Sequence, residues 1–271
     1  ESRHLGLKMP EELPHIKEEL KLLSQAFAET VSLDEIMTIA EEAGGLSQPG
    51  IEEVKKGTEN KDMPVIAVAR DEAFCFYYED NLQLLEEYGA RLSYFSPLHD
   101  RTLPQECDGI LLGGGYPELY AEELGENKTM LSQIREAISD GTPVVAECGG
   151  FMYLHEFIQD KENKKQNMTG VIPAGCHDTG KLVRFGYIEI KEKKASFLPE
   201  GQVIRGHEFH YFDSEKNGED CIASKPVSGK TYPCILAGET YWMGFPHLYY
   251  PSNPAFARNF VEKAAKRKGV T

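Results

Sequence analysis

The stretch Val144-Val145-Ala146-Glu147-Cys148-Gly149-Gly150-Phe151-Met152-Tyr153-Leu154 runs a short apolar strand candidate into a cysteine, two glycines and an apolar segment of helical length. That is the layout of a nucleophile elbow, in which a sharp strand-to-helix turn lifts one side chain above the carboxyl end of a sheet. The glycines remove Cβ atoms that would block the approach of a substrate. At the start of a helix the local positive charge favours the thiolate, the form of cysteine that attacks a carbonyl. A free cysteine in an apolar setting otherwise fills core space, and the local pattern alone permits that too. A second glycine-rich loop, Leu112-Gly113-Gly114-Gly115-Tyr116-Pro117-Glu118, follows another strand candidate. Acyl transfer creates an oxyanion, and the N–H groups of Gly114, Gly115 and Gly149 are candidate donors to it. The same loop would equally serve as a turn that needs positive φ.

A cysteine nucleophile needs a base, often from a distant part of the chain. His155, His177, His207, His210 and His247 are the candidates. His155 is expected about two turns along the helix after the elbow, pointing away. His247, in Gly244-Phe245-Pro246-His247-Leu248-Tyr249, follows a strand candidate containing Trp242 and precedes the last helix, where a late loop would return to the crevice. A lone histidine is more often structural than catalytic, so spacing by itself leaves the choice open. Gly206-His207-Glu208-Phe209-His210-Tyr211 invites a metal reading, but its histidines are three apart in a segment of strand character and would face opposite ways. We read His207, Glu208, His210 and Tyr211 as a substrate-lining loop and expect no metal site. Arg184, Arg205 and Lys181 could meet substrate carboxylates or be solvated surface charges. Ser228-Gly229-Lys230-Thr231 imitates the end of a phosphate-binding loop, yet Ser224 stands where its first glycine is required and Tyr232-Pro233 follow it instead of a helix.

The elements that must hold these residues alternate. Val65 to Ala69 reads as a buried strand, Asn81 to Tyr88 as a helix ending at Gly89, Leu92 to Phe95 and Gly109 to Leu112 as strands, and Met130 to Ser139 as a helix before Pro143 to Ala146. Such alternation implies a three-layer α/β domain with a mostly parallel sheet. Beyond about residue 168 shorter pieces, Tyr187 to Ile190, Gln202 to Ile204 and Cys234 to Leu236, suggest antiparallel additions at one edge, and Pro254 to Lys266 reads as a closing helix. Ahead of the domain, Glu11 to Ala43 has apolar residues at helical spacing for two amphipathic helices, with Asp34 suited to a helix start. Gly44 to Asp62 reads as a linker, which divides the chain into 1–62 and 63–271.

Composition limits the function classes. A 41% hydrophobic content supports a buried core, and no stretch reaches the roughly 18 apolar residues of a membrane span. The start of the chain has no signal-peptide pattern, so a cytoplasmic setting with no membrane partner is expected. Six scattered cysteines without a CxxC pair argue against a disulfide framework or zinc knuckle. A formal net charge of −15 makes nucleic acid an improbable partner.

Asp71-Glu72-Ala73-Phe74, Tyr78-Glu79-Asp80-Asn81-Leu82, Phe95-Ser96-Pro97-Leu98, Gly113 to Glu118, Ala146 to Gly150 and Gly206 to Tyr211 together resemble the cobyrinic acid a,c-diamide synthase family over about residues 64 to 265. Arg3-His4-Leu5-Gly6-Leu7 is similar to the end of that family's N-terminal ATP-binding domain. The resemblance implies a class I-type glutamine amidotransferase domain of flavodoxin-like fold. It further implies Cys148 as nucleophile through a thioester, His247 as base, and glutamine as ammonia source. In that family ATP and magnesium belong to the N-terminal domain, and a corrinoid tetrapyrrole is amidated on its a and c carboxylates. One departure from the wider glutaminase class is Tyr249, which stands where a glutamate usually completes the triad two residues after the histidine. Something else must orient His247, and free glutaminase activity is expected to be low without the partner domain. Cobyric acid synthase, a nickel-sirohydrochlorin diamide synthase, a non-catalytic macrocycle-binding module and a hydrolase of γ-glutamyl bonds are the competing expectations, and a homodimer is left open.

Overall fold

A computed structural model describes residues 13–45 and 63–269. The chain divides into two compact units, Glu1–Glu53 and Val54–Thr271. In the first unit the described residues form α1 (Ile16–Thr30) and α2 (Leu33–Glu42), the two helices that the apolar spacing predicts. Ser32, not Asp34, caps α2: its hydroxyl accepts from the Glu35 N–H at 3.2 Å, and Asp34 lies in the first turn, where its charge suits the helix dipole. Arg3 to Leu7 and nearly all of the linker lie outside the described residues.

The second unit opens with β1 (Val65–Ala69), α3 (Glu79–Glu87), β2 (Arg91–Phe95) and β3 (Gly109–Leu112). A 3-10 turn (Pro117–Tyr120) leads into α4 (Ala121–Glu126) and α5 (Lys128–Ser139), then β4 (Val144–Glu147) and α6 (Gly149–Tyr153). The later strands are β5 (His155–Gln159), β6 (Lys165–Asn167), β7 (Ile172–Asp178), β8 (Arg184–Glu192), β9 (Val203–His210), β10 (Phe212–Ser214), β11 (Cys221–Ser224), β12 (Thr231–Cys234), β13 (Leu236–Ala237), β14 (Tyr241–Gly244) and β15 (His247–Tyr249). The chain closes with α7 (Ala255–Lys268), which Gly269 ends in a left-handed conformation at φ 81°.

The central sheet has the order β13-β14-β4-β3-β1-β2, with β14, β4, β3, β1 and β2 parallel and β13 antiparallel at the edge. Numbered by chain order and read across the sheet, the parallel strands run 2-1-3-4-5, the flavodoxin-like order. Their side chains alternate between two cores, as a pleated strand requires. Ala67, Ile110, Leu112, Val144 and Ala146 join Met130, Leu131 and Ile134 of α5 on one face. Ile66, Val68, Leu111 and Val145 join Leu82 and Leu85 of α3, Trp242, and Phe256 and Phe260 of α7 on the other. Burial on both faces is why these strands read as continuous apolar runs. Each fully buried Ile, Leu or Phe contributes about 1.5–3 kcal/mol of transfer free energy before entropy is subtracted.

The antiparallel edge is therefore only β13. Most of the late strands build two sheets of their own, β10-β7-β5-β6 and the antiparallel β12-β11-β8-β9-β15. The helix after the elbow also differs from expectation. It stops at Tyr153, and His155 begins β5 instead of lying two turns along a helix.

Candidate active site

Cys148 sits between β4 and α6 with φ 46° and ψ −102°, a conformation that a non-glycine residue adopts only under strain. Its N–H donates to the Gly244 carbonyl of β14 at 2.8 Å, and the Gly150 N–H donates to the Gly113 carbonyl at 2.8 Å. The elbow is thus pinned from both sides, to the neighbouring strand and to the glycine-rich loop after β3. Gly115 lies against Gly149, since a Cβ built on Gly149 would stand 3.1 Å from the Gly115 nitrogen. The candidate oxyanion donors Gly114, Gly115 and Gly149 therefore form one surface at the carboxyl end of the sheet.

His247 closes that surface from above. A Cβ on Gly114 would come within 2.3 Å of His247 Cε1, so the absence of a side chain there is what admits the imidazole. Its ring stacks on His207 with centroids 4.8 Å apart and an 11° tilt, and Phe76 meets it edge-on at 4.8 Å. His207 Nδ1 is in turn hydrogen-bonded to the Tyr78 hydroxyl at 3.0 Å. His247 is 5% exposed, and its Nδ1 has no hydrogen-bond partner among the described residues. Tyr249, which holds the position of the usual third triad member, turns outward and donates its hydroxyl to Asp80 at 3.1 Å.

The electrostatics leave both partners neutral at rest. Burial pushes the Cys148 thiol up to about 12; the charges of Glu118, Glu147 and Glu208 add to this, and the Gly149 N–H that bonds the sulfur works against it. The five-residue α6 is too short to supply the thiolate stabilisation expected of a helix N-terminus. Burial likewise pulls His247 down to about 3, helped by the like charges that His207 and His210 would carry. A neutral imidazole is the form able to accept a proton, and a neutral thiol the form able to give one.

The remaining candidates separate by face. Glu208 and His210 are buried on β9, whereas His207 lies on the opposite side with His247. Glu208, 1% exposed, accepts from the Tyr232 hydroxyl and has Arg184 at 3.6 Å and Lys225 at 3.8 Å. Burial raises its carboxyl, opposed by these partners. Arg184 also stacks over the Tyr232 ring at 4.0 Å. His210 bonds the Phe212 carbonyl at 2.7 Å through Nδ1 and stacks on Phe245 at 4.0 Å. Tyr211 is half-buried, and its carbonyl accepts the Thr179 N–H at 3.1 Å. Of the predicted substrate loop, His207 touches His247. Arg205 is an exposed partner of Glu189 and Lys181 is exposed, the solvated alternative for both. His155 is fully buried between the Phe151 carbonyl and Ser214 Oγ, a structural role, and His177 lies on β7. Sequence reasoning passed over Glu147 and Asn81, whose side chains hold the segment that follows His247. The motif containing Asn81 was visible, but no local pattern gave either residue that partner.

A parallel sheet of this order, with a strained cysteine elbow packed on a glycine loop against which a histidine lies, is the arrangement of a glutamine amidotransferase domain. A crystal structure of a glutamine amidotransferase shares the fold, with a TM-score of 0.51 at 14% identity, covering 73% of this chain and 98% of that one. Residues 65–231 match the CobB/CobQ-like glutamine amidotransferase domain, and the chain belongs to that family. Similar relatives are the cobyrinate a,c-diamide synthases of Fusobacterium nucleatum, 39% identical over 92% of this chain, and Dehalococcoides mccartyi, 37% identical over 96%. The chain spans 57% of the length of each of these relatives. Among the described residues no helix is long and apolar enough to cross a membrane.

Proposed function

We propose that this chain is the glutaminase part of an ATP-dependent synthetase that amidates the a and c carboxylates of cobyrinic acid. The observation that carries the reading is Cys148 on its strained turn, facing a loop that opens at Gly114 to admit His247. The names of the relatives support the choice of acceptor.

In this reading His247 takes the Cys148 proton as sulfur attacks the side-chain carbonyl of glutamine. The tetrahedral oxyanion is held by backbone N–H groups of the Gly114–Gly115 loop and Gly149. The imidazolium returns the proton to the leaving nitrogen, so that ammonia departs and a γ-glutamyl thioester remains. Water attacks the thioester, His247 again takes a proton, and glutamate leaves with the thiol restored. Ser228 to Thr231 leads into β12, not a helix, so no phosphate cradle forms at that segment. Activation of the acceptor carboxylate is assigned to the remainder of a longer protein, and no step through ATP is derived.

The test supplies that longer protein with ATP, magnesium and either cobyrinic acid or nickel sirohydrochlorin, and reads the product mass. With glutamine, cobyrinic acid should gain two amides and Cys148→Ala should abolish the gain, while ammonium salts restore it in the variant. Amidation of the nickel macrocycle alone would reassign the substrate. Glutamine-dependent amidation that survives Cys148→Ala would remove the glutaminase assignment.

A further inference from the structure

His247 lacks the orienting acid of a triad, yet its place must be fixed to a fraction of an ångström for proton transfer. The structure supplies a different device. Glu147 is the last residue of β4 and the covalent neighbour of Cys148, and it is 7% exposed. Its carboxyl lies against the Leu248 backbone and accepts the Tyr250 hydroxyl at 3.4 Å. Asn81 of α3 grips the same segment from the other side, donating Nδ2 to the Leu248 carbonyl and accepting the Tyr250 N–H through Oδ1, each at 2.8 Å. We infer that Glu147 is the positioning residue of the cysteine–histidine pair, acting through the backbone of Leu248 instead of through the imidazole.

The inference rests on the glutaminase reading and deepens it. Glu147 shares a peptide bond with the nucleophile, and Leu248 shares one with the histidine, so a single carboxyl ties both reacting groups into one frame. The ring itself meets His207 face to face and Phe76 edge-on, contacts that resist tilting but leave its placement to the backbone that carries it. Burial pushes the Glu147 carboxyl up to about 8, opposed by its bonds to Leu248 and Tyr250. Burial thus favours the uncharged form, which glutamine matches in both shape and charge. Aspartate keeps the acid but withdraws it from Leu248, and leucine keeps the bulk but removes the acceptor.

The test measures kcat and KM for glutamine hydrolysis by the longer protein, with ATP, magnesium and acceptor present, in Glu147→Gln, Glu147→Asp and Glu147→Leu, with thermal melting of each variant. Wild type and Cys148→Ala form the reference pair. Glu147→Gln should stay within about 3-fold of wild type in kcat. Glu147→Asp should lose about 10-fold and Glu147→Leu about 100-fold, since a misplacement near 1 Å costs on that order. KM should stay within about 2-fold throughout, because a lost alignment acts on the chemical step. If Glu147→Leu fails to fold, the contrast of Gln with Asp decides, since a role for the negative charge would rank Asp above Gln. That ranking, an unchanged kcat in Glu147→Asp, or a loss confined to KM would overturn the inference while leaving the glutaminase reading standing. Equal hydrolysis by wild type and Cys148→Ala would overturn the reading itself, and the inference with it.

Discussion

Cys148 carries a conformational cost that its chemistry explains and its packing does not. At φ 46° a Cβ is strained, and glycine would occupy the turn without penalty. We therefore expect Cys148→Gly to be more stable than Cys148→Ala by about 1 kcal/mol in chemical denaturation, the order of the strain stored at such positions. Equal stability, or the reverse order, would mean that the turn is relaxed. The elbow was legible in the sequence because its signal is local: an apolar strand, one cysteine, two glycines. The role of Glu147 was not legible, because its partner Leu248 is brought to it only by the pairing of β14 with β4.

The strand pair β9–β15 sets the position of the histidine at the next scale up. His247 lies opposite His207, Leu248 opposite Gly206 and Tyr249 opposite Arg205. A Cβ on Gly206 would stand 2.3 Å from the His247 carbonyl oxygen, so the two strands approach closely only because that residue is glycine. Gly206→Ala should force them apart, destabilise the fold by about 2 kcal/mol and depress glutamine hydrolysis more than global stability accounts for. Activity and melting both at the wild-type level would show that β15 tolerates the shift. The alternating polarity of β8 and β9 was readable as strand, but their assembly into a separate sheet was not, since alternation says nothing about partners. The five-residue α6 was overlong in the sequence reading because Phe151 to Leu154 is apolar throughout, and such a run does not distinguish helix from buried strand.

At the scale of the whole chain, the two cores draw their buried residues, among the described residues, from Ile66 onward. A chain starting at residue 63 should thus fold cooperatively, with a melting midpoint within about 3 °C of the 271-residue chain, the shift expected from about 1 kcal/mol at this size. A large loss would show that residues 1–62 contribute to that core. The α/β class and the mostly parallel sheet followed from alternating apolar runs, because a parallel sheet covered on both faces leaves that record in composition, whereas the strand order did not. Which acceptor receives the ammonia has no such record in this chain, and in the relatives nearly half the length lies beyond the region matched.

The central claim is that Cys148 and His247 work as one glutamine-hydrolysing pair. Its most direct measurement is covalent labelling with a glutamine-like diazo-ketone, with mass spectrometry locating the adduct among the six cysteines. Modification is expected at Cys148 alone, suppressed by excess glutamine and lost in His247→Ala. Labelling spread over other cysteines, or labelling of Cys148 indifferent to both glutamine and His247, would contradict it.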